Sequence, residues 1–134
     1  MMISTRGRYV LRVMVDLAEH ADEGYVPMKA VAQRQKISLK YLEKILPPLV
    51  KNDFVTGMHG KGGGYMLTRS PEEYRVGDIL RITEGDLAPV ACLGCTADQC
   101  DQMEGCRTRP MWEELDRIIN EYFDGIRLKD LMRE

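Results

Sequence analysis

Residues 26–67 read VPMKAVAQRQKISLKYLEKILPPLVKNDFVTGMHGKGGGYML, and the fold turns on how they are parsed. Pro27 suits a first helical turn, where its missing N–H costs nothing, and Met28, Val31 and Ala32 give that helix a small apolar face. Lys36 and Ile37 make a tight turn. Ser38 then stands as the N-cap of a second helix, its hydroxyl placed to accept from a backbone N–H two or three residues on. Leu42, Ile45, Leu46, Leu49 and Val50 recur at helical spacing, while Lys40, Glu43, Lys44 and Lys51 fall largely elsewhere. Pro47 and Pro48 remove two N–H donors from this helix, which predicts a kink between an outward-facing first half, residues 38–46, and a core-facing end.

Two helices joined this tightly, the second with a polar outer face, have the helix-turn-helix pattern. An ordinary helical hairpin would show the same residues; the segment that follows separates the two. Phe54, Val55 and Thr56 read as a strand and Tyr65, Met66 and Leu67 as its partner, with GMHGKGGG between them at 57–64. A hairpin directly after the second helix is a wing, and a tip with His59 and Lys61 around Gly60 can approach a phosphate backbone without steric conflict. The glycines do not make a Walker loop, since the lysine precedes them and no Ser or Thr follows in place. Nor do they make a dinucleotide fingerprint, because Tyr65 replaces the third glycine and no helix is signalled next. A purely structural turn is the alternative for the glycines taken alone.

The predicted fold is therefore mainly α with a small β-hairpin: a winged helix-turn-helix followed by a long C-terminal helix. The second helix would offer Ser38, Leu39, Lys40, Tyr41, Glu43 and Lys44 to the major groove, an α-helix and that groove being of similar width. Glu43 would accept from a cytosine amino group or exclude other bases. His59, Gly60 and Lys61 would form the wing contact.

Net charge bears on this reading. The chain has 134 residues, enough for one domain with a modest core, and a formal charge of −2, which looks unpromising for nucleic acid. The mean hides a division. Residues 1–69 carry eleven Lys and Arg against six Asp and Glu, a net of +5, whereas residues 70–134 carry eight against fifteen, a net of −7. The basic half holds the helix pair and the wing, so the attractive field sits where DNA would be met. The opening MMISTRGRYVLRV lacks the continuous apolar core of a secretory signal, and no apolar run approaches a membrane span. A cytoplasmic protein with no membrane partner is expected.

Ser4 or Thr5 can cap a first helix running to about residue 21, with Val10, Val13, Met14, Leu17 and Ala18 on its apolar face and Gly24 in the loop beyond. Arg6, Arg8 and Arg12 cluster at its start. A solvated basic face would show these residues, and so would phosphate contact by the three arginines with Tyr9; positive charge there opposes the helix dipole, which suggests some use beyond solvation, and Arg6 and Arg8 are the candidate DNA contacts. Ser70-Pro71-Glu72-Glu73 has the capping-box pattern, and Val76, Ile79, Leu80 and Ile82 continue as an amphipathic segment closed by Gly85. From Pro110, Met111, Leu115, Ile118, Ile119 and Tyr122 recur at helical spacing, flanked by Trp112 and Phe123. A core-packing helix would show this stripe too; its width and aromatic content favour a dimer helix and a palindromic operator. Gly125 ends the helix and a short turn follows at 128–132. The organisation expected is a DNA-binding domain at 1–85, a cysteine-rich sensor loop at 86–108, and a dimerisation helix with a C-terminal turn at 109–134.

All four cysteines, Cys92, Cys95, Cys100 and Cys106, fall within fifteen residues of the chain, a grouping that argues against four buried small hydrophobes. Structural disulfides are disfavoured in a reducing cytoplasm. Thiolates in a glycine-bearing loop suit a soft metal: zinc or an iron–sulphur cluster. A four-thiolate zinc site usually shows two close pairs, and only Cys92 and Cys95 are close, so the spacing leans towards iron–sulphur. Neither His20 nor His59 is local to the loop. An oxidoreductase using Cys92 and Cys95 is disfavoured, since the pair lacks the strand-then-helix setting of a thioredoxin-like site and no acid–base constellation or cofactor loop accompanies it.

The assembled motifs resemble the Rrf-two family of bacterial transcriptional regulators over nearly the full chain. They are ISTRGRY at 3–9, ISLKYLEKIL with the Pro and Leu after it at 37–49, the G-x-GGGY wing at 60–65, VGDILR followed by EG at 76–85, and the cysteine loop leading into MW. The resemblance implies dimeric winged-helix proteins that read operator DNA. Its iron–sulphur branch, IscR-like, carries a cluster on three cysteines, to which Cys92, Cys100 and Cys106 correspond by position; a 2Fe–2S cluster is preferred over 4Fe–4S, with zinc as the alternative. Two departures stand out. Arg109 occupies the place of that branch's histidine, and Arg8 the place of the aspartate found in the nitric-oxide-sensing branch, which leaves Cys95 as the substitute fourth ligand. A further branch, resembling CymR, binds no cluster and answers to a partner enzyme.

Overall fold

The computed structural model describes residues 3–94 and 104–133. Five helices and one hairpin follow in order: α1 (Thr5–Glu19), α2 (Met28–Gln35), α3 (Leu39–Lys51), β1 (Val55–Met58), β2 (Gly64–Leu67), α4 (Val76–Glu84) and α5 (Arg109–Asp124). This is the winged helix-turn-helix expected, extended by a C-terminal helix.

Local chemistry explains the boundaries. Ser4 caps α1 by accepting the N–H of Gly7, and Ser38 caps α3 by accepting that of Tyr41, each at 3.1 Å. Between α2 and α3, Lys36 adopts the left-handed conformation, φ 55°, and so ends α2. After the wing, Glu73 reaches back to accept from the backbone N–H of Ser70 at 3.0 Å and from its hydroxyl at 3.1 Å. Gly85, at φ 82°, closes α4.

The expected division of α3 into an outward-facing first half and a core-facing end is not what the structure shows: the helix runs from Leu39 to Lys51 through Pro47 and Pro48, and Leu42, Ile45 and Leu46, before the prolines, are buried as Leu49 is after them. The carbonyls that the two prolines leave without a helical donor belong to Glu43 and Lys44, four residues earlier, and both residues are exposed. Water can therefore satisfy them, and the prolines are tolerated. Val50, read as part of the apolar stripe, is instead exposed at the edge of that face.

The strands are shifted relative to expectation. Phe54 lies just before β1, and pairing extends into the glycine run, with Gly57 opposite Tyr65 and Met58 opposite Gly64. Two glycines allow this. A Cβ at Gly57 would lie 2.8 Å from the Tyr65 ring, and one at Gly64 would collide with the carbonyl of Val26. Val26 bonds both ways with Tyr65, at 2.8 and 3.0 Å, so the segment before α2 lines the edge of the wing.

The main core gathers Val10, Val13, Met14 and Leu17 of α1, Val31 of α2, the inner face of α3, Val55 and Leu67 of the wing, and Leu128 from the final turn. Tyr74 is buried at its centre. Its hydroxyl donates to the carbonyl of Phe54 at 2.8 Å and accepts the N–H groups of Thr68 and Arg69, tying the wing to the segment before α4. A second, smaller cluster of Val76, Leu80 and Leu87 receives Ile3 and Leu11 from one end of the chain and Ile119, Phe123 and Ile126 from the other. Arg81 reinforces it, reaching Asp124 at 2.8 Å and Asn120 at 2.7 Å on α5. No helix among the described residues is long and apolar enough to cross a membrane.

Candidate nucleic-acid interface and cysteine loop

The face of α3 opposite the core carries Lys40, Glu43 and Lys44, all exposed. At its N-terminal end Ser38 is exposed with its hydroxyl engaged in the cap, and Leu39 is half-buried. Tyr41 is half-buried because its ring packs edge-on against Tyr9 of α1, with centroids 5.5 Å apart. His59, Gly60 and Lys61 form the exposed tip between the wing strands, Gly60 at φ 95°. Arg6 and Arg8 are exposed on the first turn of α1, Arg8 donating to the Thr5 hydroxyl at 3.1 Å.

Arg12 is separated from the other two arginines by its bonding. It lies over the Tyr9 ring, donates from Nε to the side chain of Gln35 at 3.2 Å, and bonds the Gln35 carbonyl. It braces α1 against the turn before α3.

Beneath this surface lies a side chain that the sequence reading missed. Asp16 is 1% exposed and accepts from Arg34 at 2.7 and 3.0 Å and from Gln35 at 2.9 Å. Burial alone would raise its carboxyl, but the hydrogen bonds from Arg34 and Gln35, with the charges of Arg34 and His20, together hold it below the usual carboxylate range. The network fixes the C-terminal end of α2 on α1 and so sets the direction from which α3 starts. An aspartate in the apolar stripe of the first helix was the available signal; its partners lie eighteen and nineteen residues away and could not be read from spacing.

In the cysteine loop, Cys92 and Cys106 are half-buried free thiols, while Cys95 and Cys100 lie outside the described residues. The Cys106 thiol is held below the ordinary thiol range by the Thr108 hydroxyl, 3.6 Å away, and by the backbone N–H groups of Thr108 and Arg109. Those donors favour the thiolate, the form that ligates soft metals. Among the described residues no three His, Cys, Asp or Glu side chains converge on a metal position. Arg109 is bonded to Glu113 at 2.7 Å, and a guanidinium offers no lone pair to a metal in any case. His20 is held by the carbonyl of Asp16 at 2.8 Å, at the far end of α1.

The outer side of α5 completes the surface. Met111, Leu115, Ile118 and Tyr122 are exposed together, while Ile119 and Phe123 hold the helix to α4.

A protein-family model named Rrf2, described as "Iron-dependent Transcriptional regulator", matches residues 3–134. The chain belongs to the Rrf2 family. Among its relatives, the HTH-type transcriptional regulator IscR of Aliivibrio salmonicida is 36% identical over 132 residues, covering 98% of this chain and 77% of the relative. Protein rrf2 of Nitratidesulfovibrio vulgaris is 38% identical over 138 residues, 100% of this chain and 89% of that one. Solved structures agree. CymR, the global cysteine regulator of B. subtilis, superposes with a TM-score of 0.83 at 33% identity, over 98% of this chain and 95% of that chain. IscR of T. potens gives 0.77 at 37% identity, over 98% and 85% respectively. This Rrf2 protein is accordingly a DNA-binding transcriptional regulator of winged-helix architecture and not an enzyme.

Proposed function

We propose that two copies of the chain pair through α5 and bind a palindromic operator, with the cysteine loop as the control element. The observation that carries this reading is the division of α3 into a face buried at Leu42, Ile45, Leu46 and Leu49 and an exposed face bearing Lys40, Glu43 and Lys44, together with the exposed wing tip and the Arg6–Arg8 turn. Lys40 and Lys44 supply charge to phosphates, Glu43 discriminates between base edges, and His59, Gly60 and Lys61 reach the flanking backbone. The three polar regions belong to one core, so their spacing is set before DNA arrives.

Cys92, Cys100 and Cys106, with Cys95 in place of a fourth protein ligand, would hold an iron–sulphur cluster, 2Fe–2S in preference to 4Fe–4S. The all-sulphur donor set and the stabilised Cys106 thiolate fit such a group. Bound there, the cluster would supply sensitivity to oxidants or to iron supply. The chain's own part is to transmit the state of the cysteine site to the reading surface. A structural zinc, a thiol switch or control by a partner protein is the second reading, favoured by the CymR likeness and by Arg109 in the histidine position.

Two measurements test the proposal. Anaerobic reconstitution should give a coloured protein with matched iron and sulphide; colourless protein with stoichiometric zinc would remove the cluster and leave DNA binding intact. On a selected duplex, Glu43→Ala should relax preference at particular base pairs, whereas Lys44→Ala should weaken all sequences by about the same factor. Unchanged base preference in the Glu43 variant would contradict the groove assignment.

A further inference from the structure

The start of α1 and the foot of the cysteine loop meet at one side chain. Glu84, the last residue of α4, receives the backbone N–H of Ser4 at 3.2 Å and its hydroxyl at 2.5 Å. That hydroxyl in turn accepts the N–H of Gly7. The cap of α1 is thus completed by a carboxylate eighty residues further along the chain. Gly7 is buried against it, and a Cβ there would collide with Glu84 Oε1. The first turn of α1 contains no acidic residue of its own, so Glu84 supplies the negative charge that the helix dipole and the neighbouring Arg6 and Arg8 call for.

On its other side Glu84 leads directly into the loop. Gly85 turns the chain at φ 82°, and Leu87 is buried with Val76 and Leu80 in the small cluster that also receives Ile3 and Leu11. The residues on either side of the Ser4–Glu84 bond, Ile3 and Leu87, therefore belong to the same apolar cluster. A shift of the segment leading to Cys92 would pull on Leu87 and Glu84 and reach Ser4, and through Gly7 it would reorient Arg6 and Arg8.

We propose that Glu84 is the positioning residue coupling the cysteine loop to the N-terminal DNA contact. The inference rests on the reading that Arg6 and Arg8 meet the phosphate backbone. Coupling between two sites is reciprocal: if the loop alters DNA binding through Glu84, DNA must alter the loop through the same bond. The effect is then measurable from the loop side, in metal-free protein.

The full chain, reduced and metal-free, is incubated with iodoacetamide with and without its selected duplex, and alkylation of Cys92 is followed by fragment mass spectrometry with Cys106 read in parallel. In the wild type, DNA should change the Cys92 rate by about threefold or more. In Glu84→Ala the difference should fall below about 1.5-fold while the duplex is still bound, and Glu84→Gln, which keeps an acceptor oxygen, should restore most of it. Circular dichroism checks that each variant folds; if Glu84→Ala does not, Ser4→Ala removes the hydroxyl that links Glu84 to Gly7, leaving only the backbone N–H on Glu84, and should lower the difference to about twofold or less. A folded, DNA-binding Glu84→Ala or Ser4→Ala protein with the wild-type difference overturns the proposal and points to direct shielding of Cys92 by DNA. So does a wild type that binds duplex with no change at Cys92. A wild type that binds no duplex sinks the operator-binding reading itself, and the coupling with it.

Discussion

The helices α3 and α5 look alike in sequence and end in opposite situations. Both are amphipathic, thirteen and sixteen residues long, with an apolar stripe facing away from charged positions. In α3 the stripe is consumed: Leu42, Ile45, Leu46 and Leu49 are each exposed by 1% or less. In α5 it is left over: Met111 is 55% exposed, Ile118 49% and Tyr122 64%, and no residue of the helix is fully buried. A helix whose apolar face is satisfied by its own chain has only its polar face left for recognition. A helix that leaves four large apolar residues in water on one side has a face in want of cover. Its opposite edge is already secured by Ile119, Phe123 and the Arg81–Asp124 pair, so the exposed stripe is held in a fixed place, where the proposed pairing would cover it.

That contrast can be broken most forcefully at α5. Replacing Leu115 and Ile118 together by Glu should leave the fold intact by circular dichroism, yield a monomer by light scattering, and lower operator affinity by about a thousandfold through loss of the second half-site. A dimer that survived would mean the stripe is covered in some other way. In α3 the analogous truncation acts on the fold. Leu42→Ala should cost about 2–5 kcal/mol of unfolding free energy, read as a lowered denaturation midpoint. A loss of operator binding without a loss of stability would reverse the assignment of the two faces.

The support beneath α3 is tested next. Asp16→Asn should destabilise by about 2 kcal/mol at neutral pH, below the roughly 3–5 kcal/mol of a fully buried pair because Arg34 is 35% exposed. The pH dependence gives the sign. The carboxyl of Asp16 is lowered in the folded protein, so its contribution is present in full above the unfolded value of about 3.9 and is lost as pH falls through the lowered folded value. The gap between wild type and Asp16→Asn, measured by urea denaturation, should therefore narrow in acid; a gap that widened there would contradict the bonding described. The smallest effect belongs to the wing. Lys61→Ala should weaken duplex binding by about tenfold or less and reduce the dependence of log affinity on log salt by about one unit.

Much of α3 and the wing was legible in the sequence because the signals are local. A serine cap, a stripe at 3.6-residue spacing and a glycine run between two short apolar strands each act within a few residues. The prolines, Pro47 and Pro48, misled only about where the buried face lies. Both lie within a helix that continues to Lys51, and the residues four before them, Glu43 and Lys44, are exposed, so the carbonyls left without a helical donor belong to residues on the solvent side. The glycine run was read as tip alone because the close approaches of Tyr65 to Gly57 and of Val26 to Gly64 are tertiary events. The partners of Asp16, Tyr74 and Glu84 were illegible because each side chain bonds to a residue that only the folded chain brings near. The cysteine loop divides along another line. Its composition announces a thiol site, and the hydroxyl and amide donors around Cys106 are visible in the fold, but Cys95 and Cys100 lie outside the described residues.

The pairing of a spent helix face with an unspent one has a direct readout in DNA. Repeated selection of random duplexes by the purified protein should enrich two inverted half-sites whose centres are about one helical turn apart, each half contacted by one α3 and one wing. Enrichment of a single unrepeated site would show that one copy reads DNA without the α5 pairing, and would contradict the account at its centre.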